Sequence, residues 1–367
     1  MKILLTGAAG FLGWHTRVRL RALTDHDVIP VRRDNWPDLV DLADDVDAVI
    51  HVAGVNRATP AEVEHGNIAL AEAVSEAVWK SGSSPRIIYA NTIHAGSDDA
   101  YGVGKAAAST ILESAASATG GHFVDVRLPN LFGEHGRARY NSFVATFVEA
   151  VINGEAPSIQ DRSLPLLHVQ DAAQALIDSL HTTEQQVTPT GAESSVQEVY
   201  DRLLSFHQTY RTGDIPVLET AMDVDLFNTL RSSLFPERYP IDLTAHEDDR
   251  GRLVETVRAH GGQGQTFVST TVPGVTRGDH FHLRKVERFV VLSGQARISL
   301  RRVFADDVLS FDVTGDTPTV IDMPTMWVHN ITNTGTTELT TLFWTNSLFD
   351  PDAPDTYREK VSPAAAT

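Results

Sequence analysis

The hydrophobic pattern of this 367-residue chain changes period once, near residue 245, and that change constrains the fold more than any other feature. Up to about residue 185, short β-rich runs at 2–6, 27–31, 48–53, 86–91 and 123–128 alternate with helical stretches. Between the runs, as at 68–78 and 106–115, apolar residues recur at three- and four-residue spacing. This alternation predicts a parallel sheet covered by helices on both faces. Residues 195–210 read as a further amphipathic helix on Val196, Val199, Tyr200, Leu203, Leu204 and Phe206; the stretch 212–242 is mixed and receives no assignment. Beyond 245 the helical period is lost. Runs at 266–271, 288–292, 296–301, 319–321 and 340–344, punctuated by Gly, Asp, Asn and Pro, predict an all-β sandwich or barrel. Residues 362–367 read as a frayed tail. The expected fold class is α/β followed by all-β, in domains 1–243 and 244–367.

Composition removes several function classes. There are no cysteines, which excludes disulfides, thiolate metal sites and a cysteine nucleophile. The net charge of −18, from 48 acids and 30 bases, argues against nucleic acid or an anionic membrane as partner. No apolar run approaches the roughly 20 residues that span a bilayer, and no signal peptide is recognisable. A cytoplasmic protein is expected.

The first strand ends in Gly7-Ala8-Ala9-Gly10-Phe11-Leu12-Gly13. Gly7 permits a tight turn, Gly10 lets backbone approach a pyrophosphate, and Gly13 permits close helix packing. The helix that follows presents free N–H groups to the phosphates. At the end of the second strand, where an acid would bond the ribose of NAD, stand Arg32 and Arg33, which suit the 2′-phosphate of NADP. Tyr101 and Lys105 share a helix face four residues apart. An ammonium beside a phenol lowers the phenol's pKa and makes it a proton donor to a carbonyl under reduction. Thr92, ending the fourth strand, is placed to hydrogen-bond the same carbonyl.

These residues resemble the extended short-chain dehydrogenase/reductases over residues 1 to about 243, a Rossmann-like fold. The likeness extends to His51-Val52-Ala53-Gly54, Asn67, Arg127-Leu128-Pro129-Asn130-Leu131-Phe132-Gly133 and His168-Val169-Gln170-Asp171. It implies that Ala53 and Gly54 line the cofactor and that Lys105 holds the nicotinamide ribose. The gap between Thr92 and Tyr101 is shorter than in most of the family. Arg137 and Arg139, beyond the Asn130 segment, are candidates to meet a diphosphate.

In the β-rich half, His280-x-His282-x4-Glu287 lies between Gly274 and Gly294, and His329 follows about forty residues later. On one strand His280 and His282 share a face. Three imidazoles and a carboxylate form a ligand set for Zn²⁺ or another first-row divalent metal. The two segments resemble the motifs of cupins, jelly-roll barrels, over about 245–350, with Met326 where cupins usually have glycine. Together with Asn141-Ser142-Phe143-Val144-Ala145-Thr146-Phe147 and Thr276-Arg277-Gly278-Asp279-His280, the two halves resemble the bifunctional capsular-polysaccharide enzymes of CapF type. That resemblance implies a UDP-linked 4-keto-6-deoxy sugar, C3 epimerisation in the cupin domain, then C4 reduction with NADPH to a UDP-N-acetyl-6-deoxy-talose type sugar. It also implies zinc and a homodimer. Lys285, between the ligand pair and Glu287, is the candidate acid or base for C3, and Asp249-Arg250-Gly251 is similar to a segment of sugar-epimerase cupins. Two rivals are a reductase whose cupin serves dimerisation, and an NADP-sensing binding protein.

Overall fold

Strand β1 (Lys2–Thr6) shows why the amino-terminal half builds a layered sheet. Its Ile3, Leu4 and Leu5 are all fully buried, although successive side chains point to opposite faces. In the computed structural model, Leu4 packs with Val74, Val78 and Leu112 on one face. Ile3 and Leu5 pack with Leu20 and Leu176 on the other. A strand covered twice needs a continuous apolar run, not an alternating one. The structure describes residues 1–362; of the expected frayed tail at 362–367, residues 363–367 lie outside the described residues.

The alternation continues through α1 (Phe11–Leu23), β2 (Asp27–Val31), α2 (Leu39–Leu42), β3 (Ala48–His51), α3 (Pro60–Ser81), β4 (Arg86–Thr92), α4 (Ala100–Thr119) and β5 (Phe123–Leu128). After β6 (Asn130–Phe132) come α5 (Phe143–Asn153), β7 (Ser163–His168), α6 (Val169–Asp178), β8 (Gln186–Val187), β9 (Ala192–Ser195) and α7 (Val196–Tyr210). The main sheet has six strands in the order β2-β1-β3-β4-β5-β8, all parallel. Strand order reverses between β1 and β3, which opens a crevice at their carboxyl ends. A small second sheet joins β6, β7 and β9. The expected Rossmann-like fold is present.

The unassigned stretch 212–242 contains helix α8 (Ala221–Leu234), opened by a capping box in which Thr220 and Asp223 satisfy each other's backbone amides. The β-rich half then runs through β10 (Ile241–Asp242), the hairpin β11 (Ala245–Asp248) and β12 (Gly251–Val254), β13 (Gln265–Thr271), β14 (Thr276–Phe281), β15 (Glu287–Ser293) and β16 (Gln295–Arg302). It ends with β17 (Val308–Thr314), β18 (Thr319–Met323), β19 (Trp327–Asn333), β20 (Leu339–Thr345) and β21 (Tyr357–Arg358). Two five-stranded antiparallel sheets result, β10-β18-β15-β20-β13 and β17-β16-β19-β14-β21, the cupin-like pair that was expected.

By packing, the chain divides into Met1–Thr146 with Gln160–Val196, and Phe147–Ile159 with Gln197 onward. The expected boundary at 243/244 follows the residue pattern; α8 and nearly all of α7 pack with the β-rich unit. The reason is a buried polar network. The Arg288 guanidinium pairs with both Asp322 oxygens, at 2.7 and 2.9 Å, and donates to the Gly213 carbonyl. Tyr210 of α7 donates to Asp322 at 2.6 Å and shares a hydrogen bond with Tyr239. Arg231 of α8 donates to the Met323 carbonyl. Arg288 and Asp322 both belong to the barrel, so the ties to the helices are the Tyr210 and Arg231 bonds; removing either partner would leave a buried polar group unpaired, at about 1–3 kcal/mol. No helix among the described residues is long and apolar enough to cross a membrane.

Candidate functional site

The glycine turn is built for close approach. Gly7 has φ +68°, and a Cβ there would lie 2.7 Å from the Ala53 amide nitrogen. A Cβ on Gly13 would lie 2.1 Å from the Gly7 carbonyl oxygen. Helix α1 has Gly10 as its N-cap, with no side-chain cap bond and no acid in its first turn, so its first amides are available to an anion. Phe11 and Leu12 are half-buried. Thr6 Oγ1 accepts from the amides of Val52 and Ala53 and pairs with His51 Nδ1 at 2.7 Å, joining the ends of β1 and β3. The loop at Ala53-Gly54 is fixed by Asn67, whose amide bonds both the N–H and the C=O of Val55. Arg32 and Arg33 are exposed directly beyond β2. Arg17 of α1 comes near Arg32: burial first, and the charge of Arg32 second, lower its pKa. Sequence reasoning missed Arg17, because only the fold brings α1 to the end of β2.

Asp99 caps α4 by accepting from the Gly102 amide at 2.9 Å, which places Tyr101 and Lys105 on the helix's first two turns. Lys105 is buried, donates to the Ala90 carbonyl at 2.6 Å and lies 4.1 Å from the Tyr89 ring centre. Burial lowers its pKa to about 7, against the pull of Asp125. The Tyr101 pKa is raised, by burial first and by Asp99 second. The expected lowering by Lys105 is therefore not found: the lysine turns to a carbonyl and an aromatic face, and desolvation governs the phenol. Tyr101 keeps its proton at neutral pH, which suits a donor. Thr92 is buried at the end of β4, and its hydroxyl accepts from the His94 amide at 3.2 Å. Arg137 and Arg57 lie 5.3 and 5.5 Å from the Tyr140 ring centre, and Arg57 donates to the carbonyls of Arg139 and Tyr140.

In the barrel, β14, β15 and β19 bring His280, His282, Glu287 and His329 together, with one ligand atom from each within 4.8 Å of the others. His282 lies just past the end of β14 rather than on it, and the register shifts at Asp279 (φ 57°). The Nε2 atoms of His282, His329 and His280 lie 3.0, 3.2 and 4.0 Å from the same oxygen, Glu287 Oε2. On the far side of two of the rings is a backbone carbonyl. His282 Nδ1 is 2.6 Å from the Asp355 carbonyl and His329 Nδ1 is 3.0 Å from the Trp327 carbonyl. His280 has a backbone bond to Gly278.

A carbonyl can only accept, so in the neutral rings the proton sits on Nδ1 and the Nε2 lone pair faces the carboxylate. Acceptors facing an acceptor in a buried site call for a cation between them, and the donor set fits a first-row divalent metal. Burial first, then His329 and His282, push the His280 pKa down to about 3, which keeps that ring neutral. Burial works to raise Glu287, but any positive charge carried by His282 and His329 outweighs it and holds the carboxyl well below its usual range, so the carboxylate draws a cation to this point. Met326, at the cupin glycine position, adopts φ 61° and donates its amide to the His282 carbonyl at 2.7 Å, so the loop beside His329 keeps its turn. Lys285 Nζ is engaged by the Pro354 carbonyl and the Thr356 hydroxyl.

Comparison with known proteins gives matches along the whole chain. Residues 3–190 match the NAD dependent epimerase/dehydratase family, and residues 246–357 match the polysaccharide biosynthesis C-terminal domain. A UDP-2-acetamido-2,6-beta-L-arabino-hexul-4-ose reductase from Pseudomonas aeruginosa is 32% identical across 100% of both chains. The capsular polysaccharide assembling protein CapF of Staphylococcus aureus is 31% identical, with a TM-score of 0.61, over 98% of this chain and 100% of that one. The spore coat polysaccharide biosynthesis protein SpsL of Bacillus subtilis is 28% identical over 32% of this chain and 83% of its own.

Proposed function

From the premise that the chain belongs to the NAD dependent epimerase/dehydratase family, joined to a polysaccharide biosynthesis C-terminal domain as in CapF-type enzymes, we propose a two-site nucleotide-sugar enzyme. Its substrate is a UDP-2-acetamido-2,6-dideoxy-4-hexulose. The barrel epimerises C3, and the Rossmann-like unit reduces C4 with NADPH to a UDP-N-acetyl-6-deoxy-talose type product for surface polysaccharide. The full-length likeness to a 4-keto-hexulose reductase supports the reduction. The observation that carries the second site is the buried cluster of three imidazoles around Glu287, which a dimerisation module would not need. A homodimer and a cytoplasmic location belong to this reading on the likeness alone.

The order of steps follows from chemistry. The C3 proton is acidic only while a C4 ketone can take up the charge, so epimerisation precedes reduction and reduction traps the product. In the reductase site, Gly7, Gly10 and Gly13 seat the pyrophosphate, and Arg32, Arg33 and Arg17 supply charge for a 2′-phosphate, which favours NADPH. Bound NADPH would supply the hydride for C4. Tyr101 donates its phenolic proton to the C4 oxygen, Thr92 orients that oxygen, and Lys105 bonds the ribose. In the barrel, His280, His282, Glu287 and His329 would hold a divalent metal, most simply Zn²⁺. Such a cation would supply a positive centre for the charge that develops as the proton leaves C3. Lys285, whose Nζ rests on the Pro354 carbonyl and the Thr356 hydroxyl, is the candidate acid or base that exchanges the C3 proton once released from those acceptors.

The test is an NMR time course on the 4-keto substrate in D₂O, with and without NADPH. Deuterium enters C3 without cofactor, and C4 is reduced once NADPH is added. Reduction with no C3 exchange would reduce the barrel to a binding or structural role; neither reaction would remove the substrate class.

A further inference from the structure

We infer that Asp355 is a positioning residue of the barrel's metal site, acting through His282 and the loop behind it. This rests on the reading of His280, His282, Glu287 and His329 as a metal ligand set. Asp355 is 73 residues from His282 in sequence, yet it makes two kinds of contact there. Its carbonyl oxygen lies 2.6 Å from His282 Nδ1, which fixes the ring with Nε2 toward Glu287. Its carboxylate gathers three successive amides: Oδ1 accepts from Leu283 at 2.9 Å, and Oδ2 from Arg284 at 2.9 Å and Lys285 at 2.7 Å. The carboxylate thus clamps the residue to the loop that joins His282 to Glu287, and the clamp holds the carbonyl on the imidazole. The backbone conformation required, φ 42°, is one that Asp and Asn adopt more readily than most residues.

The rest of the segment is pinned independently, so the clamp is separable from folding. Strand β21 pairs with β14 at His280–Arg358 and Phe281–Tyr357. Asp279 accepts from the Val361 amide at 3.2 Å and from Lys360 Nζ at 2.9 Å. Arg301 donates to the Val361 and Lys360 carbonyls. On the opposite side of the loop, Asp225 of α8 holds Arg284 through two bonds of 2.9 and 3.2 Å, and Asn228 donates to the Arg284 carbonyl.

The test uses the full-length protein, stripped of metal and titrated with zinc against a chromophoric chelator, for the parent, Asp355→Asn and Asp355→Ala. Loss of a partner that orients a metal-bound histidine weakens affinity by roughly 10–100-fold. Asp355→Ala should fall in that range, and Asp355→Asn, which keeps one acceptor oxygen, should fall between it and the parent. The visible spectrum of the cobalt-loaded protein should shift in Asp355→Ala and return toward the parent in Asp355→Asn. If Asp355→Ala does not fold, the asparagine variant decides through the same two readouts. Parental affinity and cobalt spectrum in the variants would overturn the role of Asp355 alone. A parent that binds neither metal would overturn the ligand set itself.

Discussion

In the proposed function Lys105 carries two demands at once, a charge for the ribose and a place in the core. Its burial lowers its pKa to about 7, whereas an unfolded lysine holds its proton to about 10.4. Between those values the unfolded chain binds more protons than the folded one, so stability rises with pH across the window and is lost as pH falls through about 7. In the dinucleotide-free protein, Lys105→Met should abolish this contribution. Urea unfolding of parent and variant across the window should show the parent gaining relative to the variant as pH rises; parallel profiles would contradict it. The pairing of Tyr101 with Lys105 was readable from spacing, but the sign of the tyrosine shift was not, since it depends on the burial of both groups. The proposed metal-ligand set shows the same division. Residue type and spacing single out His280, His282, Glu287 and His329, while the carbonyls of Trp327 and Asp355 that set two of their tautomers are main-chain atoms brought in by the fold.

Strand, turn and helix act together at the glycine motif, and here the sequence is most legible. A Cβ at position 13 would meet the Gly7 carbonyl at 2.1 Å, so Gly13→Ala must move α1 away from the turn. Such overpacking costs about 1–3 kcal/mol. NADPH affinity, measured by fluorescence titration, should fall at least about tenfold, as expected for about 1.4 kcal/mol, with zinc content unchanged; unaltered NADPH affinity would show that α1 does not seat the cofactor. The barrel strands were harder to read. The runs in β13, β15, β16, β18 and β20 stand out by their β-branched and aromatic residues, but β14, with Gly278 and Asp279 at its centre, carries no such run. It is a strand because β19 and β21 pair with it on either side. Helix α8 was hidden in a mixed stretch, although Thr220 and Asp223 form a capping signal three residues apart.

For the whole molecule, the change of period near residue 245 marks where strands replace helices, and packing then draws α7 and α8 to the barrel through Tyr210, Arg231 and Arg288. No local pattern announces that attachment, because Arg288 and Asp322 read as solvated charges until the fold buries them. In the proposed function two chemistries occupy two sites of one chain. Tyr101→Phe separates them, since it removes one phenolic oxygen from the reductase site and nothing from the barrel. With the 4-keto substrate in D₂O and NADPH present, the variant should incorporate deuterium at C3 at the parental rate. Its C4 reduction should be slower by about 10²–10⁴-fold, the usual contribution of a positioned proton donor. Parental C4 reduction, or loss of C3 exchange together with reduction, would contradict the division of the two steps between the two sites.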